Sequence, residues 1–235
     1  TATIEQGWHL NIIELGDGEY VTAIIPITEF SEGEYLTMVT KYGIIKRTLL
    51  TEFAYQRRSG KIAITLDEGD ELIFVRHTRG GEGLILATRN GLAVRFDEEN
   101  VRCMGRGARG VKGITLMDDD YIVGVCVVDP ERTLLTITEN GIGKRTSFDD
   151  FREMKHRGGR GVTCHNISEK TGKLASILTV SEDDDIMLIT NEGTIIRTAV
   201  SGINVYSRTA GGVILMRLDE GCTINNVARL EKNEE

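Results

Sequence analysis

The chain has 235 residues, of which 40% are hydrophobic and 27% charged, and its formal net charge at pH 7 is −8. Such a composition is typical of a folded chain rather than a disordered one, and the length allows one large domain or two ordinary ones. The longest apolar run, YIVGVCVV at 121–128, is far too short to span a bilayer, and no charged-then-apolar leader opens the sequence. We therefore expect no membrane contact.

Candidate metal and catalytic residues are scattered. The four cysteines, Cys103, Cys126, Cys164 and Cys222, form no CxxC pair, so they indicate buried free thiols rather than a zinc site or a disulfide scaffold. The four histidines are equally dispersed, and no GxSxG motif is present. The sequence predicts no catalytic residue, no metal and no cofactor.

Repetition is the strongest pattern in the chain. Four segments align on a glycine, with spacings of 48, 50 and 52 residues between Gly43, Gly91, Gly141 and Gly193. A period in this range is typical of propellers and other repeat arrays. The segments are TKYGIIKRT at 40–48, TRNGLAVRF at 88–96, TENGIGKRT at 138–146 and TNEGTIIRT at 190–198.

Each segment predicts a β-hairpin. A β-branched or apolar run precedes a turn, and Asn90-Gly91 is a residue pair that favours a type I′ turn. The second strand ends in a cation. Because side chains alternate between the faces of a strand, Lys46 and Arg47 should point to opposite faces, and we expect at least one of them to reach solvent.

Two further strands are predicted after each hairpin, with acidic turns between them, in IAITLDEGDELIFV (62–75), GITLMDDDYIVGVCVV (113–128) and VILMRLDEGCTINNVARL (213–230). Helix signals are essentially absent, so the expected fold is all-β, with four-stranded blades repeating about every 50 residues. The expected units are a partial blade at 1–30 and blades at 31–78, 79–128, 129–180 and 181–235. The half unit at the start indicates a fragment that lacks an upstream blade.

Between the hairpin and the later strands of each unit lies a glycine-rich loop. Three of these four loops carry several cations, whereas the last carries Arg208 alone. Glycine allows close backbone approach to a ligand, and arginine offers a fork that matches phosphate oxygens. The loops are AYQRRSGKI at 54–62, RCMGRGARGV at 102–111, EMKHRGGRGV at 153–162 and VYSRTAGGV at 205–213.

At equivalent repeat positions these loops would form a basic rim on an otherwise acidic protein, whose acidic runs MDDDY (117–121) and SEDDDI (181–186) lie elsewhere. A basic rim favours a polyanion, although any one loop taken alone is equally typical of a solvated surface turn. GRGARG at 105–110 matches GxGxxG, but a strand follows it where a dinucleotide site needs a helix.

The hairpins of the ENGIGKRT type, together with MGRGARGVKGI and LDEGDELI, resemble the C-terminal DNA-wrapping domain of the bacterial DNA gyrase A subunit over essentially the whole chain. That family carries a Gln-Arg-Arg-Gly-Gly-Arg/Lys-Gly box in its first blade. Here QRRSGKI at 56–62 has Ser59 and Ile62 in place of glycines, and KHRGGRG at 155–161 lacks the leading Gln-Arg. No intact box is present, which suggests that the blade carrying it lies upstream.

The resemblance implies a β-pinwheel, a propeller-like domain whose blades exchange strands and which bends duplex DNA around its edge to support negative supercoiling by a type II topoisomerase. It implies a non-catalytic part of a bacterial, cytoplasmic and nucleoid-associated enzyme. The implied partners are double-stranded DNA, the gyrase A N-terminal cleavage region and gyrase B, in an assembly of two A and two B subunits. The predicted DNA-binding residues are Arg57, Arg58, Lys61, Arg102, Arg106, Arg109, Lys112, Lys155, Arg157, Arg160 and Arg208.

Two alternatives stay open. The related C-terminal domain of the topoisomerase IV A subunit has the same fold with a weaker or absent box, which the degenerate boxes here also fit. A protein-binding propeller of the kelch or chromatin-regulator kind has repeats of similar length but favours aromatic residues, whereas this chain is 6% aromatic and has one tryptophan, Trp8.

Overall fold

The computed structural model describes residues 16, 18, 20–55 and 60–230. Within these ranges the protein is all-β, with short 3₁₀ turns and no α-helix, so the predicted fold class is confirmed. None of the described residues forms a helix with the length and hydropathy that a bilayer crossing requires. The strands are β1 (Tyr35–Thr40), β2 (Ile44–Leu49), β3 (Leu72–Thr78), β4 (Gly83–Thr88), β5 (Leu92–Asp97), β6 (Val111–Lys112), β7 (Ile122–Val127), β8 (Thr133–Thr138), β9 (Ile142–Ser147), β10 (Glu153–Met154), β11 (Val162–Thr163), β12 (Leu174–Val180), β13 (Asp185–Thr190), β14 (Ile195–Ala199), β15 (Val213–Ile214) and β16 (Ile224–Leu230).

The strands form four small sheets that are arranged as the blades of a propeller. The first sheet has the order β3-β1-β2-β6, the second β10-β5-β4-β7 with β11 also on β5, and the third β12-β8-β9-β15. The fourth has the order β14-β13-β16 in the described part of the chain. The long strands β3, β7, β12 and β16 therefore all lie at one edge of their sheets, and the two-residue strands lie at the other.

The hairpin prediction is confirmed, but the turn type is different. Each turn glycine has a positive φ, from 73° to 84°, and Gly91 donates its amide to the Thr88 carbonyl at 2.9 Å. Asn90 has no positive φ, which a type I′ turn would require. The pattern is a type I turn followed by a left-handed glycine, the usual solution for a three-residue hairpin loop.

Packing gives a second reason for glycine in the turn. A Cβ on Gly91 would lie 2.5 Å from the His165 carbonyl oxygen, because the next unit of the chain crosses directly over the turn. A contact this short does not occur for a real side chain, so both the backbone angle and the neighbouring chain exclude larger residues.

The third strand predicted in each unit is short and belongs to the preceding sheet. In the second, third and fourth units two residues of this segment pair as a strand: β6 with β2, β11 with β5, and β15 with β9. The corresponding segment of the first unit, at 62–65, forms no strand among the described residues. Period-two alternation predicts an extended chain but does not specify its partner. The blades are therefore joined by exchanged strands, as the family resemblance implies.

The hydrophobic core lies between successive sheets rather than within one of them. Val39 and Ile45 of the first sheet pack with Leu84 and Val94 of the second. Equivalent clusters join the second sheet to the third and the third to the fourth. Each blade thus depends on its neighbours for burial, as expected of a repeat protein. Cys126 and Cys164 are buried free thiols as predicted, whereas Cys103 is exposed, since it lies in an edge loop.

Candidate nucleic-acid interface

In the described part of the chain, the glycine-rich loops occupy one edge of the propeller. We call them the first loop (54–62), second loop (102–111), third loop (153–162) and fourth loop (205–213). The last three end by adding a strand to the second hairpin strand of the preceding sheet. The sheet order places this edge opposite β3, β7, β12 and β16. The sequence-predicted cations of the second, third and fourth loops are thereby brought to one edge.

A glycine near the end of the second, third and fourth loops permits this strand exchange. Gly161 has φ +84°, and a Cβ there would lie 2.6 Å from the carbonyl oxygen of Ala93 on β5. Gly105 and Gly107 instead have open space where a Cβ would be. The glycines therefore serve two purposes: some allow the loop to approach the neighbouring strand, and others leave its outer surface free of side chains.

Hydrogen bonds join the third loop to the residues that flank the second loop. The Thr115 amide donates to the Gly159 carbonyl at 2.9 Å, and the Gly158 amide donates to the Gly113 carbonyl at 2.8 Å. The Arg157 guanidinium adds bonds to the carbonyls of Asn100 (3.1 Å) and Lys112 (2.8 Å). This arginine spans two adjacent loops and is committed to backbone acceptors.

The same connection recurs along the edge. The Thr65 hydroxyl, just after the first loop, donates to the Gly107 carbonyl in the second at 2.8 Å. Arg208 in the fourth loop donates to the Thr163 carbonyl, just after the third, at 3.1 Å, and the Asn166 amide donates to the Ala210 carbonyl at 3.3 Å. In the described part of the chain, the loops and the residues that follow them form one hydrogen-bonded ribbon, which fixes the backbone spacing of the second, third and fourth loops.

Two buried lysines, each on the second strand of a hairpin, hydrogen-bond to the ribbon. Lys46 on β2 is fully buried, and its ammonium donates to the carbonyl of Ala63 at 2.5 Å and to that of Arg106. Lys144 on β9 is also fully buried and donates to the carbonyls of Ser207 (2.6 Å) and Arg208 (2.7 Å). Burial lowers the pKa of Lys144 to about 8. These anchors were missed from the sequence, although the shared KRT in two hairpins was the signal that could have revealed them.

The expectation that Lys46 or Arg47 reaches solvent is wrong. Both are buried, and Arg47 stacks on the Tyr35 ring at 4.3 Å and lies 3.8 Å from the Glu98 carboxylate. Side-chain alternation alone would leave one of these two side chains in solvent. Instead, the exchanged strand β6 and its loop cover the end of β2. Arg145 in the third sheet is buried as well, whereas the side chain of Arg197 in the fourth sheet is 64% exposed.

The predicted DNA-binding cations divide into three groups. Arg57 and Arg58 lie outside the described residues. Lys61, Arg106, Arg109, Arg157 and Arg208 have partners within the protein. The side chains that are exposed and have no hydrogen-bond or ion-pair partner among the described residues are those of Arg102, Lys112, Lys155 and Arg160.

Two of the partnered cations are held by acids at the surface. Arg109 pairs with Asp67, and Arg106 lies 3.8 Å from Glu52 with both side chains partly exposed. Exposed ion pairs of this kind contribute little to stability. A polyanion could therefore displace these carboxylates at small cost.

Fold and site together define a class of protein: a β-propeller whose blades exchange short strands and whose basic, glycine-rich loops share one edge. A family model described as the DNA gyrase C-terminal domain, beta-propeller, matches residues 34–79, 84–129, 132–181 and 184–230. The chain is 41% identical over 229 residues to the A subunit of DNA gyrase from Staphylococcus epidermidis, and the match covers 96% of this chain and 26% of that protein. The chain thus spans about a quarter of the length of the curated relatives it matches.

Solved structures give the same result. The C-terminal domain of a DNA topoisomerase IV has a TM-score of 0.87 and 29% identity, covering 94% of this chain and 69% of that chain. A DNA gyrase A C-terminal domain has a TM-score of 0.84 and 30% identity, covering 94% of this chain and 74% of that one. The chain belongs to the family of DNA gyrase C-terminal domains.

Proposed function

We propose that this chain binds duplex DNA without sequence specificity along the edge formed by the basic loops, and bends it there. The observation that carries the proposal is a set of exposed cations on successive loops that have no partner among the described residues. They are Arg102 and Lys112, on or next to the second loop, and Lys155 and Arg160 on the third. Phosphate contacts from such side chains position a duplex without reading its bases.

The hydrogen-bonded ribbon supports bending as well as binding. DNA bending over a few tens of base pairs costs on the order of several kcal/mol, which only contacts distributed along the arc can offset. Cations on mobile loops would follow a straight duplex, whereas loops joined through Thr115 and Arg157 to their neighbours resist displacement. The spacing of the cations is then imposed on the DNA.

The role in the parent protein follows from the family. We propose a non-catalytic part of the gyrase A subunit that presents a bent DNA segment for strand passage and supports negative supercoiling. Its partners would be the N-terminal cleavage region and gyrase B, in the cytoplasm of a bacterium. We also propose that each repeat unit of about 50 residues supplies most of one blade, to which the next unit adds the exchanged strand.

The experiment is a binding titration with unrelated duplexes of equal length at several salt concentrations. We expect similar affinities for all sequences and a steep loss with salt, with a log–log slope of about one per phosphate neutralised. Strong preference for one sequence or a flat salt response would contradict the proposal and favour a protein-binding propeller.

A second candidate function is that of the topoisomerase IV enzyme, again within its A subunit. It is favoured by the TM-score of 0.87 with a topoisomerase IV C-terminal domain and by the degenerate boxes at 56–62 and 155–161. The full-length protein that carries this chain, reconstituted with ATP and its partner B subunit, distinguishes the two. Negative supercoiling of relaxed plasmid supports gyrase, and decatenation without supercoiling supports topoisomerase IV.

A further inference from the structure

A cavity of about 420 Å³ lies at the edge of the propeller opposite the basic loops. All four long edge strands line it: Arg76 lies on β3, Val125–Val127 on β7, Leu178 and Thr179 on β12, and Arg229 on β16. Asp129 and Arg132 complete the lining from the turn after β7. The volume is in the range of cavities that take small molecules.

Two arginines of the lining, from different blades, converge on one carboxylate, that of Asp184, which lies outside the lining. Arg132 Nη1 and Arg229 Nη1 lie 3.8 and 3.7 Å from the same Asp184 oxygen. Arg132 Nε also lies 3.0 Å from Asp129, and Arg229 donates to the Thr179 carbonyl at 3.1 Å. Both guanidinium groups are therefore oriented by the fold.

Arg76 brings a third positive charge. Its guanidinium donates to the carbonyl of its own neighbour Val75 at 3.1 Å and lies 5.7 Å from the Phe74 ring. No carboxylate among the described residues forms an ion pair with it. Arg76 therefore brings to the cavity a guanidinium that no carboxylate among the described residues neutralises, and a bound anion would relieve its repulsion with the other two arginines.

The rest of the lining adds no negative charge. Val125, Val127 and Leu178 provide apolar walls. Burial raises the pKa of the neighbouring Cys126 thiol to about 11, so this group is neutral at physiological pH. The cavity therefore combines the guanidinium of Arg76 with apolar surface and partial shielding from water, which strengthens the attraction of an anion.

We propose that this cavity binds a small organic anion that carries at least two negative charges on phosphate or carboxylate oxygens. Arg76 would bind the oxygens with its planar fork, assisted by Arg132 and Arg229, while the valine and leucine walls contact the body of the ligand. The site is distinct from the DNA-binding edge because β1 and β2 separate β3 from the second loop within the first sheet. Because all four long edge strands line the cavity, a bound ligand would contact every sheet and stabilise their arrangement.

The test uses inorganic pyrophosphate and citrate as probes in calorimetric titrations of the protein at low ionic strength. We expect saturable binding of at least one probe at one site, and whichever binds more tightly identifies the phosphate or the carboxylate class. Arg76→Gln should weaken that binding about tenfold or more, the usual effect of losing a charge-assisted hydrogen bond. Arg79→Gln is the matched control, since the Arg79 side chain is 77% exposed and lies outside the cavity lining.

A second control separates the cavity from the DNA-binding edge. Arg160→Gln should leave probe affinity unchanged, whereas Arg76→Gln should leave duplex DNA binding unchanged. If Arg76→Gln does not fold, as judged by circular dichroism, Arg76→Lys keeps the charge but loses the fork and should still weaken binding. No saturable binding of either probe, equal affinity of the Arg76 variant, or loss of affinity in Arg160→Gln would overturn the proposal.

Discussion

The ammonium of Lys144 donates a hydrogen bond of 2.7 Å to the carbonyl oxygen of Arg208, a residue 64 positions later in the chain. Lys46 makes the same bond to Arg106, 60 positions later. In both pairs a fully buried cation holds the backbone of a loop residue that was predicted to bind DNA. The lysines of the KRT hairpins thus fix where the loops lie, and their effect on the proposed DNA binding would be indirect.

Lys144→Met should destabilise the protein. Methionine has a similar length but cannot donate, so the carbonyls of Ser207 and Arg208 lose their partner, at a cost of about 1–3 kcal/mol. Urea denaturation measures the change, with the exposed Lys170→Met as control. An equal or higher stability of Lys144→Met would mean that the burial penalty of the cation outweighs its bonds.

Two arginines of the third loop should separate stability from DNA binding. Arg157→Lys keeps the charge but loses the fork that reaches Asn100 and Lys112, so the free energy of unfolding should fall by about 1–2 kcal/mol. Arg160→Lys should leave stability unchanged, because Arg160 is exposed and has no partner among the described residues. Denaturant titration of the matched pair is the measurement, and equal stability of the two variants would contradict the assigned roles.

His165 should make the protein sensitive to acid. Its Nδ1 accepts from Thr136 Oγ1 at 2.9 Å and its Nε2 donates to the Gly211 carbonyl at 3.1 Å, and burial lowers its pKa from 6.5 to about 4. The unfolded chain therefore binds a proton at a higher pH than the folded one. Stability should be complete above pH 6.5 and fall between pH 6.5 and 4, by up to about 3 kcal/mol.

His165→Gln provides the comparison for this prediction. Glutamine retains one donor and one acceptor but does not titrate. The free energy of unfolding of the variant should therefore change less between pH 6.5 and 4 than that of the unsubstituted protein. Denaturant titrations across this range give both curves. Parallel curves would show that His165 does not contribute to the acid sensitivity.

The hairpins and the position of the basic loops could be predicted from sequence because both depend on local patterns. Alternating residues and a turn glycine specify β4 and β5 without reference to the rest of the chain. The repeat then aligns Arg106 and Arg157, and the structure places both on one edge.

The surroundings of individual cations could not be predicted in the same way. Lys46 is buried because β6 and its loop, some 60 residues later, cover the end of β2. The commitment of Arg157 to the Lys112 carbonyl likewise depends on the spacing of two blades. Contacts between distant segments fix both, and neither alternation nor composition contains that information.

Wrapping of closed circular DNA should be weak for this chain, because none of its loops has the intact seven-residue box of the family. Ser59 and Ile62 replace glycines in one loop, and Lys155 and His156 replace the start of another. A bend needs firm contacts at both ends of the arc to offset its deformation energy. We expect little change in linking number when plasmid is relaxed by a nicking-closing topoisomerase in the presence of this chain. A large shift would mean that the degenerate loops suffice for a chiral wrap.

The salt dependence of duplex binding by loop variants tests the central claim most directly. Replacing Arg102, Lys112, Lys155 and Arg160 together by glutamine removes the exposed, unpartnered cations of the second and third loops without breaking a described hydrogen bond or ion pair. Affinity for linear duplex should fall steeply, and the log–log salt slope should decrease by about four if each cation neutralises one phosphate. Arg79 is an exposed cation outside the loops, so the Arg79→Gln variant should bind duplex DNA like the unsubstituted protein. An unchanged slope in the fourfold variant, with the fold intact by circular dichroism, would place the DNA-binding surface elsewhere on the protein.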